Sequence, residues 1–406
     1  MGVGGLMDVR GRGRATLPAV TPSFEQGPIR PPSEARSLLA RVVRNCPWNK
    51  CAFCPVYKDS KPSSRPIEDV LADIDAMAEA AAVIRRTAWS SGSPDDFGRA
   101  WRIAVRHGDV PPESSQVALF LESGSRSAFL QDADPLALPP AKLATVVRRI
   151  HERFEPLERI TTYGRIPTIA RRSPEDLRSL ADAGLTRVHV GLESGSDAVL
   201  ERMCKGSTSA LQIDAGRKAV TAGFELCFYV MPGLGGRDLS AEHVRGTSTV
   251  VRAVAAAAPP ERPLHVRLRT TAVSPGTPLV IEEAEGRFVL PDDVETAREI
   301  HSLLESFGDA RIELVSDHSL NLLPEIEGSL PADLEHLLAV LDEFLSLPPA
   351  EQASFAFGRR IGAYWTLADR HDDARRAAVR KAEDALPSHS PEDLLRAAAE
   401  WRSTCV

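Results

Sequence analysis

The sequence predicts an α/β fold, a partial TIM-type (βα)6 barrel with a C-terminal helical extension. Three observations lead there. From residue 37 onward, short β-branched or aliphatic runs alternate with longer runs of apolar spacing three and four, the pattern of successive βα units on a parallel sheet. At 406 residues the chain exceeds the size at which a single core usually stops growing, about 250–300 residues, so a large core with appendages is expected. Each strand-like run also ends in a loop rich in Gly, Pro or polar residues, as at the mouth of a barrel.

In chain order, residues 1–36 mix Gly, Pro and Arg without an apolar stretch and read as a flexible N-terminal arm. SLLARVVRN (37–45) reads as the first strand, and 66–88 as a helix opening at Pro66. QVALFLES (116–123) and RSAFLQD (126–132) read as a strand pair, and 140–154 as the next helix. ERITTYG (158–164) is the third strand, followed by a helix over 173–184 with Ser173 as its cap and Gly184 as its stop. TRVHVGLES (186–194), a helix over 210–223, a strand opening 224–236, another opening 264–279 and a strand-like run at 310–318 complete the series. The barrel is thus assigned to 37–320 and a helical C-terminal region to 321–406.

A 43% hydrophobic, 26% charged composition is that of an ordinary globular protein, and no apolar run approaches the ~18 residues of a membrane span. No membrane partner is expected, and the cytoplasm is the expected compartment. A net charge of −7 gives no support to a polyanion-binding surface, so nucleic acid stands unsupported as a partner. Six cysteines are too few for a disulfide scaffold, yet three of them, Cys46, Cys51 and Cys54, fall in one loop directly after the first strand.

Their C-x4-C-x2-C spacing admits several chemistries. Three thiolates on one loop can hold three irons of a [4Fe–4S] cube and leave the fourth open to another ligand. The same spacing with a fourth cysteine downstream serves [2Fe–2S] ferredoxins, and a structural zinc site needs four ligands, for which Cys204, His151 and His189 are distant in sequence. An electron carrier, a zinc-stapled binding protein and three unrelated thiols all remain open on spacing alone.

The three-Cys loop is followed by FLQDADPL after the second strand, ITTYGR after the third, VHVGLESGSDAVLERMCKGST after the fourth, and YVMPGLGG and RLRTTAVSPGTPL after the fifth and sixth. Together these resemble the radical S-adenosylmethionine (radical SAM) superfamily, in the branch of the coproporphyrinogen dehydrogenase, Elongator catalytic-subunit and methylthiotransferase cores, over residues 37–320. The chain departs from the common C-x3-C-x2-C spacing by one residue between Cys46 and Cys51.

The resemblance implies that these cysteines hold a [4Fe–4S] cluster whose open iron takes the amine and carboxylate of SAM. It further implies that an external low-potential donor, flavodoxin or ferredoxin, supplies the electron that yields a 5′-deoxyadenosyl radical, which takes hydrogen from a substrate the sequence does not identify. It places Phe53 near the adenine and Asp132 and Asp134 where the family binds the SAM amine. Glu193 becomes a further SAM contact, and Arg165 and Lys205 the cations for its carboxylate. A SAM-binding tetrapyrrole- or haem-handling relative without radical turnover is the neighbouring alternative. Arg267 and Arg269 point the same way along the sixth strand, Asp317-His318 ends the last one, and Cys204, Cys227 and Cys405 have no assigned work. The run Asp369 to Ala374 has Ala where a cobalamin-binding signature needs Gly.

Overall fold

The computed structural model describes residues 22–404 and centres on an eight-stranded sheet whose spatial order follows the chain. Seven strands run parallel: β1 (Leu38–Arg41), β2 (Ser127–Gln131), β3 (Arg159–Gly164), β4 (Arg187–Glu193), β5 (Glu225–Val230), β6 (Leu264–Leu268) and β7 (Ile312–Val315). β8 (Gly328–Leu330) pairs antiparallel with β7. β1 and β8 are not neighbours, so the sheet is a barrel left open on one side. Parallel strands buried on both faces need nearly continuous apolar sequence, and Val188, Val190 and Leu192 on β4 or Leu226 and Phe228 on β5 supply it.

Two expected elements differ. The run 116–123 is not a strand but a helix, α3 (Ser115–Glu122), following α1 (Ile67–Ser90) and α2 (Phe97–His107). Its buried residues Val117, Ala118, Phe120 and Leu121 fit one helical face, and so short an apolar run reads equally well with either period. The first strand stops at Arg41 instead of reaching residue 45, because Val43–Arg44 leaves the sheet to pair with Ser63–Ser64 in a two-stranded ribbon. This early exit lifts the cysteine loop off the sheet.

The crossovers carry α4 (Pro140–Arg153), α5 (Ile166–Arg171), α6 (Pro174–Asp182), α7 (Asp197–Arg202), α8 (Ser209–Thr221), α9 (Ser240–Ala255), α10 (Pro278–Ala284) and α11 (Asp293–Phe307). Ser173 caps α6 as its sequence indicates, accepting from the Asp176 amide. Beyond β8 come α12 (Leu334–Leu345), α13 (Pro349–Arg360), α14 (Asp373–Glu383) and α15 (Pro391–Thr404). Arg360 and Arg402, from α13 and α15, both reach buried Asp293 at the start of α11. Arg359 donates to the carbonyls of Asn321 and Leu322, so the C-terminal helices brace the loop that leaves β7.

Residues 1–21 of the expected arm, and Cys405, lie outside the described residues. The rest of that arm threads into the barrel. Gly27 exchanges two hydrogen bonds with the Gln131 side chain at the mouth. Seven residues later Glu34 is fully buried at the base of the strands, beside Ser37, Arg159 and His189.

Candidate functional site

The loop holding the cysteines is fixed to its neighbours by the backbone. The Ala52 amide donates to Met203 O after β4 (2.9 Å), and the Leu279 amide of α10 donates to Ala52 O (3.0 Å). Trp48 donates its indole N–H to Cys204 O (2.7 Å), and Lys58 donates to Cys51 O (2.7 Å). Held in this way, Cys46, Cys51 and Cys54 stay reduced and partly exposed, and all three line one cavity of about 320 Å³ at the C-terminal ends of the strands. That size lies at the lower end of ligand pockets, roughly 300–1,000 Å³.

Of the six further residues singled out by sequence, four line this cavity: Phe53, Arg165, Glu193 and Lys205. Phe53 is anchored in a small apolar cluster with Met203, Met231 and Leu279. Glu193 ends β4 at a bulge, in a left-handed conformation (φ 63°), with its Oε1 accepting from Lys205 Nζ at 2.8 Å. Gly191 makes this pair fit, since a Cβ there would stand 2.1 Å from Glu193 Oε1 and 2.8 Å from Lys205 Nζ. Burial works against the Lys205 ammonium, but the charges of Glu193 and Cys51 outweigh it and hold its pKa above the ordinary lysine value. Burial likewise raises the Cys51 thiol, with Lys205 opposing. Arg165 sits over the Trp48 ring, 5.3 Å from its centroid.

Asp132 and Asp134 do not line the cavity; Ala133 between them does. Asp132 is fully buried at φ 74°, with Oδ2 on Arg41 Nε and Oδ1 accepting from the Tyr57 hydroxyl, both at 2.5 Å. Asp134 accepts from the Arg165 amide (3.2 Å) and the Thr168 hydroxyl (2.5 Å), and burial lifts its pKa to about 6. Both carboxylates are spent on protein groups that shape the strand-end loop, which presents Ala133 to the cavity.

Further groups complete the site: the arm carried no local signal, whereas Arg267, Arg269 and His318 stand at strand-end positions that the sequence marks. Ile29 to Pro32 form part of the cavity wall, a placement that only long-range packing of the arm creates. Ser194, next to Glu193, meets His243 Nδ1 at 2.9 Å, and Glu299 accepts from the Gly233 amide at 2.6 Å, 3.7 Å from His243 Nε2. This buried chain ties the loop after β4 to the loop after β5. Arg267 points into the barrel, with Nη1 on Ser33 and on the Tyr229 hydroxyl and Nε 3.3 Å from Asp317. Arg269, just past β6, and His318, just past β7, both line the cavity.

The donor set fits the implied cofactors. Among the described residues no three His, Cys, Asp or Glu side chains converge closely enough to hold a single metal ion. An iron–sulfur cube, with each thiolate on its own iron, does not require them to. Ser207 Oγ and Arg269 Nε are buried without a hydrogen-bond partner, and both residues line the cavity, as expected where a polar ligand completes the site.

No curated protein matches the chain. Among solved structures it is similar to Elp3 of the archaeon Methanocaldococcus infernus with an N-terminal deletion, at 14% identity over 56% of this chain and 53% of that one, TM-score 0.37. It is similar to the cobalamin-dependent SAM radical enzyme OxsB with aqua-cobalamin and SAM bound (14% identity, 92% and 54% covered, TM-score 0.40). It is also similar to the radical SAM methyltransferase TsrM from Kitasatospora setae with cobalamin and a [4Fe–4S] cluster bound (17% identity, 87% and 62% covered, TM-score 0.41). The chain spans about half to three-fifths of the length of these proteins. No helix among the described residues is long and apolar enough to cross a membrane. The family model for the radical SAM superfamily matches residues 41–245, half of the sequence, and the chain therefore belongs to that superfamily, whose members bind a [4Fe–4S] cluster and SAM.

Proposed function

We propose that the protein is a radical SAM enzyme in which Cys46, Cys51 and Cys54 hold the cluster and the adjoining cavity binds SAM. The observation that carries this reading is the meeting of all three thiols with the Glu193–Lys205 pair and the unpartnered Ser207 hydroxyl around one cavity. Held by Cys46, Cys51 and Cys54, the cluster would supply the one-electron reduction that splits SAM for hydrogen abstraction from substrate. The chain's own residues bind and orient. Lys205 and Arg165 offer cations to the SAM carboxylate, and Glu193, besides holding Lys205 in place, offers acceptor oxygen to its amine. Phe53 gives an apolar face to the adenine. Tyr163, Tyr229 and the arm residues Ile29 to Pro32 complete the cavity wall.

An external low-potential donor, a flavodoxin or ferredoxin, supplies the electron. The test is the combined Cys46→Ala, Cys51→Ala and Cys54→Ala variant, incubated anaerobically with dithionite and SAM. Formation of 5′-deoxyadenosine should fall to background. Persistent formation, or a wild-type protein that binds only zinc or two irons, would refute the reading in favour of a zinc-stapled or [2Fe–2S] protein.

A further inference from the structure

The charges that line the cavity are unevenly matched. Its one carboxylate, Glu193, is taken by Lys205, while Arg30, Arg165 and Arg269 bring three more cations. Arg165 lies on the Trp48 side, next to the cysteine loop. Arg269 lies at the end of β6 and also lines a small adjoining cleft with Cys54 and Val56. No ion pair or side-chain hydrogen bond engages its guanidinium among the described residues, and its Nε is buried without a partner. The half-buried guanidinium, with its Nε shielded from water, is thus left with donors that an anionic ligand can satisfy.

The backbone carrying Arg269 is rigidly held. Its own amide donates to Val230 O at 2.9 Å. The Asn321 amide group brackets it, accepting from the Thr270 amide (2.9 Å) and donating to Leu268 O (2.9 Å). Arg359 in turn fixes Asn321 by donating to its carbonyl (2.9 Å). Beside it on the cavity wall is His318, whose pKa is lowered to about 4 by burial and by the charges of Arg269 and Arg267. Its Nδ1 accepts from the Leu320 amide at 3.2 Å, so the neutral ring carries its proton on Nε2 and adds a hydrogen-bond donor.

We infer that Arg269, with His318, forms a subsite on the cavity wall at the ends of β6 and β7 for an anionic group, a carboxylate or a phosphate, on the substrate. The assignment rests on the SAM reading above, which leaves Arg165 and Lys205 to the SAM carboxylate. The arm explains why this group sits at the mouth: Ser33 and Glu34 fill the interior below, where they meet Arg267, Arg159 and His189.

The test titrates the cluster-loaded, SAM-bound protein with three probes of similar shape: benzoate, phenyl phosphate and benzyl alcohol. Calorimetry should show at least one anion binding roughly tenfold or more tightly than the alcohol, and the better anion tells carboxylate from phosphate. Arg269→Gln should lose about tenfold of that affinity, as expected for one charge-assisted contact, with SAM affinity unchanged. Arg269→Lys should keep part of it. Equal binding of all three probes, no binding of either anion, or an Arg269→Gln variant whose loss is in SAM affinity would overturn the subsite. A protein that fails to assemble four irons, or whose EPR signal ignores SAM, fails the SAM reading before any probe is added, so the two failures are told apart.

Discussion

Glu193 and Lys205 stand twelve positions apart in the sequence, yet the bulge at the end of β4 brings them to 2.8 Å against the cysteine loop. With Lys205→Gln the Glu193 charge is left uncompensated beside the thiols, and SAM affinity, measured by equilibrium dialysis on the reconstituted protein, should fall about tenfold or more. Unchanged affinity would remove the pair from the SAM site. Asp134 carries a prediction of another kind. Its carboxyl titrates near 3.8 when unfolded and at about 6 in the fold, so the folded state keeps its proton longer. The stability tied to that proton is complete below about pH 4 and is lost as pH rises through 6. Asp134→Asn keeps an acceptor for the Arg165 amide, has the Thr168 hydroxyl accept instead of donate, and removes the titration. Between pH 4 and 6.5 its stability relative to wild type, from urea unfolding, should therefore improve by about 2 kcal/mol. A constant difference across that range would contradict the assigned burial. These residues illustrate what sequence can and cannot convey. The placement of Glu193 and Arg165 at the cavity was legible because the loops carrying them follow strand ends, whereas Lys205, which follows α7, was reached only through the K-G-x-T motif of the resemblance. Asp132 and Asp134 belong to the right loop, but which way a side chain turns depends on partners such as Tyr57, Arg41 and Thr168 that no local pattern reveals.

At the level of elements, the loop after β4 is held by α9 at very close range. A Cβ on Gly246 would come within 2.6 Å of the Gly195 backbone, and one on Gly195 within 2.3 Å of Gly246 O. Nearby, the Gly195 amide donates to the Thr247 hydroxyl at 3.0 Å. Gly246→Ala should push α9 outward and strain the Ser194–His243–Glu299 chain, costing about 1–3 kcal/mol in urea unfolding. A cost near zero would mean that the helix shifts freely and does not position the loop. Most elements were readable because strands and helices differ in period and their caps are local. Ser173 and the apolar runs of β4 and β5 are examples. The segment 116–123 was misread because eight apolar-rich residues satisfy both periods, and only packing against the barrel decides between them.

For the whole molecule, a partial barrel raises the question of what fills its open side and interior. Composition marked residues 1–36 as loose, yet Phe24 and Glu34 are buried and Glu25 bridges Arg41, Arg44 and Arg65. Such contacts join residues far apart in the chain and leave no periodic trace. Together with the C-terminal helices that clamp Asn321, the arm confines the cavity to the mouth, where the cysteines stand. The proposed chemistry therefore depends on a four-iron cluster open to SAM at that place. The most direct measurement is anaerobic reconstitution with iron and sulfide counting, followed by EPR of the reduced protein with and without SAM. Four irons per chain and a reduced-cluster signal that shifts on adding SAM are expected. Two irons, zinc alone, or a four-iron signal indifferent to SAM would contradict it.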